Sequence, residues 1–193
     1  DEIHITGSDK THDAMVWGPP GADATARRAR NEPLLKKGIT SELGNISPVL
    51  VVPGAWDEGS RDFQAGNIAG QVCNNASFNC NSAKLLVTSK PWAGRARLWE
   101  LIEKNIGKGV VRTAYYPGAE QRFKQFTEGR GNVKLIGQAK GGELPYALLP
   151  DIDHNDGQDR VWTQEPWCTV LSETTFEKTD AAGFLEEAVK FVN

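Results

Sequence analysis

Cys80, Glu42 and Glu165 are the residues whose types and surroundings suit covalent chemistry. Cys80 stands in Asn75-Ala-Ser-Phe-Asn-Cys-Asn-Ser82, between a stretch of helical character and the apolar run that begins at Leu85. A helix-to-strand junction exposes backbone amides and can present a side chain into a crevice. A thiol in such a place is a nucleophile if its pKa is lowered or a base stands nearby. Without that help a lone cysteine is ordinarily a small buried hydrophobe. Glu42 stands in Thr40-Ser-Glu-Leu-Gly-Asn-Ile-Ser-Pro48, read as a turn before a buried strand, where a glutamate is ordinarily a surface residue. Glu165, in Thr163-Gln-Glu-Pro-Trp-Cys-Thr169, reads as a loop carboxylate just ahead of another strand.

The elements that must position these residues follow from periodicity and punctuation. Ile3-His-Ile5 alternates like a strand, and a helix over 9–17 follows, with Ser8 or Asp9 as N-cap and Gly18-Pro-Pro-Gly21 as its stop. The polar stretch to Lys37 reads as partly helical. The apolar run over 46–52 suits a strand buried on both faces, as in a parallel sheet. A helix is expected over 57–75, although Gly66 and Gly70 weaken it. Residues 84–88 form the next strand. The clearest amphipathic helix is 95–105, with Leu98, Leu101 and Ile102 on one stripe. A helix over 120–126, strands over 133–136, 146–149 and 169–171, and a closing helix over 184–192 complete the pattern. Strands alternating with helices predict an α/β fold of three layers around a mostly parallel sheet.

Composition narrows the partners. The 193 residues are 39% apolar and 24% charged, with a net charge of −3, so neither nucleic acid nor an anionic membrane is expected as a partner. The basic cluster Arg27, Arg28, Arg30, Lys36 and Lys37 is interrupted by Glu32 and Pro33 and reads as a solvated face. Cys73, Cys80 and Cys168 are an odd number and form no closed disulfide framework. They have no zinc spacing, so no metal is expected, and a reducing, cytoplasmic compartment is. The acidic run Asp151-Ile-Asp-His-Asn-Asp-Gly157 lacks the twelfth-position glutamate of a calcium loop. No apolar run approaches the 18 or so residues of a membrane span, and no signal peptide is evident.

Taken in order along the chain, these segments resemble the aldehyde dehydrogenase superfamily. Ile5-Thr6-Gly7-Ser8 is similar to the strand end that contacts the nicotinamide dinucleotide. Glu42-Leu43-Gly44 with Ser47-Pro48 is similar to the family's glutamate signature, and Asn75-Ala76 with Cys80 to its cysteine signature. Glu165-Pro166-Trp167 is similar to the element that holds the nicotinamide ribose. Departures mark a divergent subgroup: Ser77 and Phe78 stand where the family has Gly-Gln, Asn45 replaces a glycine, and the segment from Ser8 to Glu42 is long.

The resemblance implies an aldehyde-dehydrogenase-like catalytic domain with NAD or NADP as cofactor and a small aldehyde as substrate. It implies Cys80 as nucleophile and Glu42 as the base that activates water or the thiol. Thr6, Gly7, Ser8, Leu43, Gly44 and Glu165 would contact the cofactor, and Trp167 would line the junction of the cofactor and aldehyde sites. Cys73 and Cys168 are bystanders. Residues 1–41 would be the end of the cofactor-binding region and 42–193 the thiol-bearing catalytic domain. The chain opens on a strand and is expected to be a piece of a longer, homo-oligomeric enzyme, inactive or nearly so by itself. Two other readings use the same residues differently: a CoA-acylating or acyl-phosphate-reducing relative, and a scaffold without catalysis.

Overall fold

In the computed structural model, which describes residues 1–193, the chain divides into two compact units, Asp1–Asn45 and Ile46–Asn193. The first unit runs β1 (Ile3–Gly7), α1 (Asp9–Trp17), α2 (Ala22–Ala29) and β2 (Ile39–Leu43). The two strands pair in parallel, from Ile3 beside Ile39 to Gly7 beside Leu43. Parallel pairing needs a crossover, which the two helices supply. Helix α1 starts where Ser8 Oγ accepts the Thr11 N–H at 3.1 Å. It stops at Gly18, whose φ of 94° suits glycine and few other residues.

One expectation is corrected in this unit. Glu42 does not lie in a turn: it is the fourth residue of the five-residue strand β2. Polar residues fill the exposed middle of that strand (Thr40, Ser41 and Glu42), so it carries no apolar alternation to read. The pairing of β2 with β1 keeps β2 within the first unit.

The second unit is built on a five-stranded sheet. Its order is β3 (Pro48–Leu50), β4 (Leu85–Ser89), β7 (Val170–Phe176), β6 (Tyr146–Leu149), β5 (Lys134–Ile136). All neighbours are parallel except β5, which runs antiparallel to β6 at the edge. Its helices are α3 (Glu58–Cys73), α4 (Arg95–Gly107), α5 (Ala119–Thr127), the single turn α6 (Arg160–Thr163) and α7 (Ala181–Val192).

Strand β4 is buried at every position, as a continuous apolar run in a parallel sheet requires. Its side chains alternate between two cores. Leu86, with Tyr146, Leu148 and Leu171, packs on Ala65, Ile68 and Val72 of α3 and on Leu98, Leu101, Ile102 and Ile106 of α4. Leu85 and Val87 pack against Phe184 and Ala188 of α7. Ala147, Leu149 and Val170 pack against Phe123 and Phe126 of α5. Helices therefore cover both faces, and the expected three-layer α/β architecture with a mostly parallel sheet is the one observed.

The sheet is also tied to α4 by charge. Glu173 of β7 is fully buried and accepts from Thr88 Oγ1 at 2.6 Å and from Arg95 Nε and Nη2 at 2.9 and 2.5 Å. Arg95 Nη2 also reaches Asp151 Oδ1 at 2.7 Å. Thus Asp151, in the acidic run, is engaged by an arginine, while Asp153 accepts the Asn155 N–H at 2.9 Å.

Candidate active site

The first unit gathers six of the residues singled out from the sequence. Strand pairing sets Thr6 beside Glu42 and Gly7 beside Leu43, and Ser8 and Gly44 follow at the carboxyl ends of the two strands. Ligands of open α/β sheets bind outside that end. All are exposed except Leu43, which is half-buried. Gly7 and Ser8 lead directly into α1, whose unpaired N-terminal amides favour an anion. Asp9 in the first turn works against that preference.

The second unit holds Cys80, Glu165 and Trp167. Cys80 is an exposed cysteine, in no disulfide, beyond the end of α3. Between them the chain makes a left-handed turn: Asn75, Ala76 and Ser77 have φ of 52°, 51° and 65°. For residues with a side chain this conformation costs roughly 1–2 kcal/mol each, less for asparagine. Such strain persists only where the surroundings over-determine it. Here they do. Ser77 Oγ donates to the Val72 carbonyl at 2.7 Å, and the Asn75 side-chain amide donates to Asn79 Oδ1 at 3.1 Å and to the Tyr115 hydroxyl at 3.0 Å. Ala76 and Phe78 are buried in the core beneath. Ser47 Oγ donates to the Cys80 carbonyl at 2.9 Å, so the residue before β3 holds the cysteine from its other side.

The loop that carries Glu165 and Trp167 is fixed by one arginine. Arg122 of α5 donates from Nε to the Pro166 carbonyl and from Nη2 to the Trp167 carbonyl, both at 3.1 Å. Trp167 has a φ of 44°, again left-handed. Its ring meets Tyr116 edge-on at 5.5 Å, and Tyr116 stacks on Phe78 at 5.7 Å. Aromatic contacts thus link the Trp167 loop to the Cys80 turn. The Trp167 indole N–H and the Ser82 hydroxyl are buried with no hydrogen-bond partner in the protein.

Lys84 joins these features and was read from the sequence only as the start of a strand. It is 1% exposed, immediately before β4. Its Nζ donates to the Ser77 carbonyl at 2.6 Å and lies 5.9 Å from the centre of the Trp167 ring. Burial pulls its pKa down to about 8, while the nearby Glu165, Cys168 and Cys80 push the other way. The signal in the sequence was a lysine set directly against the all-apolar Leu85-Leu-Val87, where a solvated side chain has no room. Cys168 is fully buried, and burial pushes its thiol up to about 12, which makes it inert as a nucleophile. Cys73 is raised for the same reason.

No family model and no curated protein matches the sequence. Solved structures match the fold. The NAD-dependent aldehyde dehydrogenase of Sinorhizobium meliloti superposes with a TM-score of 0.67 at 21% identity, over 99% of this chain and 36% of its own. The NADP-dependent glyceraldehyde-3-phosphate dehydrogenase of Bacillus halodurans, solved with NADP, gives 0.67 at 16% identity, over 97% and 37%. A variant of an aldehyde dehydrogenase of Pseudomonas syringae, solved with NAD+ and octanal, gives 0.69 at 17% identity, over 100% and 38%. The chain spans a little more than a third of the length of these enzymes. The resemblance read from the residues is borne out in the architecture: this chain has the fold of part of an aldehyde dehydrogenase.

Proposed function

We propose that this chain is part of an NAD(P)-dependent aldehyde dehydrogenase in which Cys80 is the nucleophile and Glu42 the general base. The observation that carries the reading is the setting of Cys80: an exposed thiol beside a braced left-handed turn, in a chain with the fold of these enzymes. The Cys80 thiolate attacks the aldehyde carbon, and the carbonyl oxygen becomes an oxyanion held by donors that include the Cys80 backbone N–H. A nicotinamide dinucleotide, when bound, would supply the hydride acceptor, and loss of hydride from the Cys80 hemithioacetal would leave a thioester on Cys80. Glu42 takes a proton from the water that attacks this thioester and later gives it up to solvent, and the tetrahedral adduct collapses to the carboxylic acid and the Cys80 thiolate.

The residues present suit that cofactor. A Cβ on Gly7 would meet nothing nearer than the Ile5 side chain at 3.8 Å, so the backbone ahead of α1 is open to close approach. Gly7 and Ser8 would hold the pyrophosphate there, with Thr6, Leu43 and Gly44 beside them. Glu165 would accept a hydrogen bond from a ribose hydroxyl, and Trp167 would line the aldehyde's approach beside the exposed Tyr116. Because the chain spans little more than a third of enzymes with this fold, turnover is assigned to a polypeptide that supplies the remaining segments. The isolated 193 residues are expected to be inactive or nearly so. The longer enzyme is assigned a homo-oligomeric state and a reducing, cytoplasmic setting, which suits three cysteines that form no disulfide.

The test is intact-mass analysis of the longer polypeptide with NAD+ and an aliphatic aldehyde. Glu42→Gln should accumulate an acyl adduct on Cys80 that the unsubstituted protein discharges, and Cys80→Ala should show none. Discharge by CoA but not by water would move the assignment to an acylating dehydrogenase. Absence of any adduct on Cys80, with no reduction of the nucleotide, would overturn the reading.

A further inference from the structure

We propose that Lys84 is the positioning residue that ties the Cys80 turn to the Glu165–Trp167 loop, acting through a buried ammonium group. The assignment deepens the function proposed above and rests on its reading of Cys80 and Glu165. Three observations support it. The first is the anchoring of Lys84 itself. Its N–H donates to the Ser47 carbonyl at 3.0 Å and its carbonyl accepts the Ser172 N–H at 2.9 Å, so its backbone is fixed between the residue ahead of β3 and the third residue of β7. The second is what its head group holds. Ser77, whose carbonyl accepts from Nζ at 2.6 Å, is the last of three consecutive left-handed residues. A charge-assisted bond to that carbonyl fixes the turn where it hands over to Phe78, Asn79 and Cys80. The third is what else lies near that head group: the Trp167 ring at 5.9 Å, within reach of a cation–π contact, and the Glu165 carboxylate, whose charge favours the ammonium form.

Packing alone does not ask for a lysine here. A methionine would fill the volume without burying a charge, whereas an ammonium out of water is costly unless it is paired. The ionisable groups that bear on it are Glu165, Cys168 and Cys80. Arg122, the neighbouring cation, is already engaged by the Pro117, Pro166 and Trp167 carbonyls. With its pKa lowered by burial to about 8, Lys84 is charged at neutral pH and loses its proton within the range of an ordinary titration. The clamp is therefore strongest below that pH and weakens as pH rises through it.

The experiment uses the 193-residue chain and needs no turnover. In Cys80→Ser, which removes the site thiol, the amide signals of Ser77 and Phe78 and the Trp167 indole N–H signal should titrate together in nuclear magnetic resonance spectra, with a midpoint near pH 8. The midpoint should vanish in Cys80→Ser/Lys84→Met. It should also vanish in Cys80→Ser/Lys84→Arg, whose guanidinium stays charged. In chains that keep Cys80, alkylation by iodoacetamide at pH 7 should slow by about tenfold in Lys84→Met and be largely restored in Lys84→Arg, as expected when a reacting atom is displaced. Signals that do not titrate in Cys80→Ser, or alkylation unchanged in a folded Lys84→Met, would overturn the proposal. If Lys84→Met does not fold, the titration in Cys80→Ser and the alkylation of Lys84→Arg decide it alone. These readouts are separate from the acyl-adduct test, so failure of one leaves the other standing.

Discussion

Glu42 and Lys84 are charged side chains assigned to the same chemistry, yet the chain supports them in opposite ways. Glu42 is exposed on β2, one strand of a two-stranded sheet whose middle residues are polar. Lys84 is buried at the entrance to β4, a strand with neighbours on both sides and helices on both faces. A pair of strands has little stability of its own. A five-stranded sheet between helix layers can hold unfavourable conformations in place. That is where the left-handed Asn75–Ser77 turn, the left-handed Trp167 and the buried ammonium are found. The difference points to a division of labour in which the proposed nucleophile is built on the five-stranded sheet and the proposed base on the two-stranded one.

The sharpest way to break this contrast is to weaken the rigid support. Arg95→Ala would leave the Glu173 carboxylate, fully buried in β7, without its two arginine hydrogen bonds. Removing one partner of a buried pair costs about 3–5 kcal/mol. Urea unfolding of the second unit should show a loss of that size. A loss below about 1 kcal/mol would mean that the network does not hold the sheet, and the contrast would lose its main support.

A smaller effect should follow acidification. Burial works against the charge of Asp159, but the paired bonds from Arg130 at 2.8 and 2.5 Å and the Val161 N–H at 3.0 Å outweigh it and hold the carboxyl below the usual range. A depressed folded pKa gives stability that is complete above the unfolded pKa, about 4, and is lost as pH falls through the folded value. Asp159→Asn should cost about 1.5–3 kcal/mol at pH 7, and its stability should fall less steeply than that of the unsubstituted chain below pH 4. Parallel acid-unfolding curves would refute the assignment. In the first unit, Ser8→Ala should cost only about 1 kcal/mol, through the lost cap on the Thr11 N–H, and should show as faster hydrogen exchange in the first turn of α1.

The same contrast decides what could be read from the sequence. The rigid half was legible where packing writes a period. Leu85-Leu-Val87 announced a strand buried on both faces, and Leu98, Leu101 and Ile102 announced the stripe of α4. Its strained details were not. Asn75 is a common left-handed residue, but Ala76 and Ser77 are not, and their φ values are set by contacts with Val72, Lys84 and the core, which are tertiary. Lys84 was overlooked because lysine is almost never fully buried unless paired, and its partner is a backbone carbonyl that no sequence displays. The pliant half failed differently. Ile39-Thr-Ser-Glu-Leu43 offers apolar residues only at its ends, so β2 read as a turn, although the positions of Thr6, Gly7, Glu42 and Leu43 along the chain were those that strand pairing brings side by side.

The smallest expected effect tests the pliant half most directly. Glu42→Gln changes charge but hardly changes shape, at an exposed position of a strand whose ladder bonds are made by the backbone. A surface substitution of this kind lies within about 0.5 kcal/mol of neutral. Urea midpoints and hydrogen exchange of the β1 and β2 amides should therefore be indistinguishable from those of the unsubstituted chain. If Glu42→Gln instead cost more than about 1 kcal/mol, Glu42 would be a structural member of the two-stranded sheet, and its assignment as a base would lose its physical ground. A neutral result does the reverse. It leaves a carboxylate with no folding role, held by backbone pairing beside Thr6 at the carboxyl end of two parallel strands, where it is free to serve chemistry.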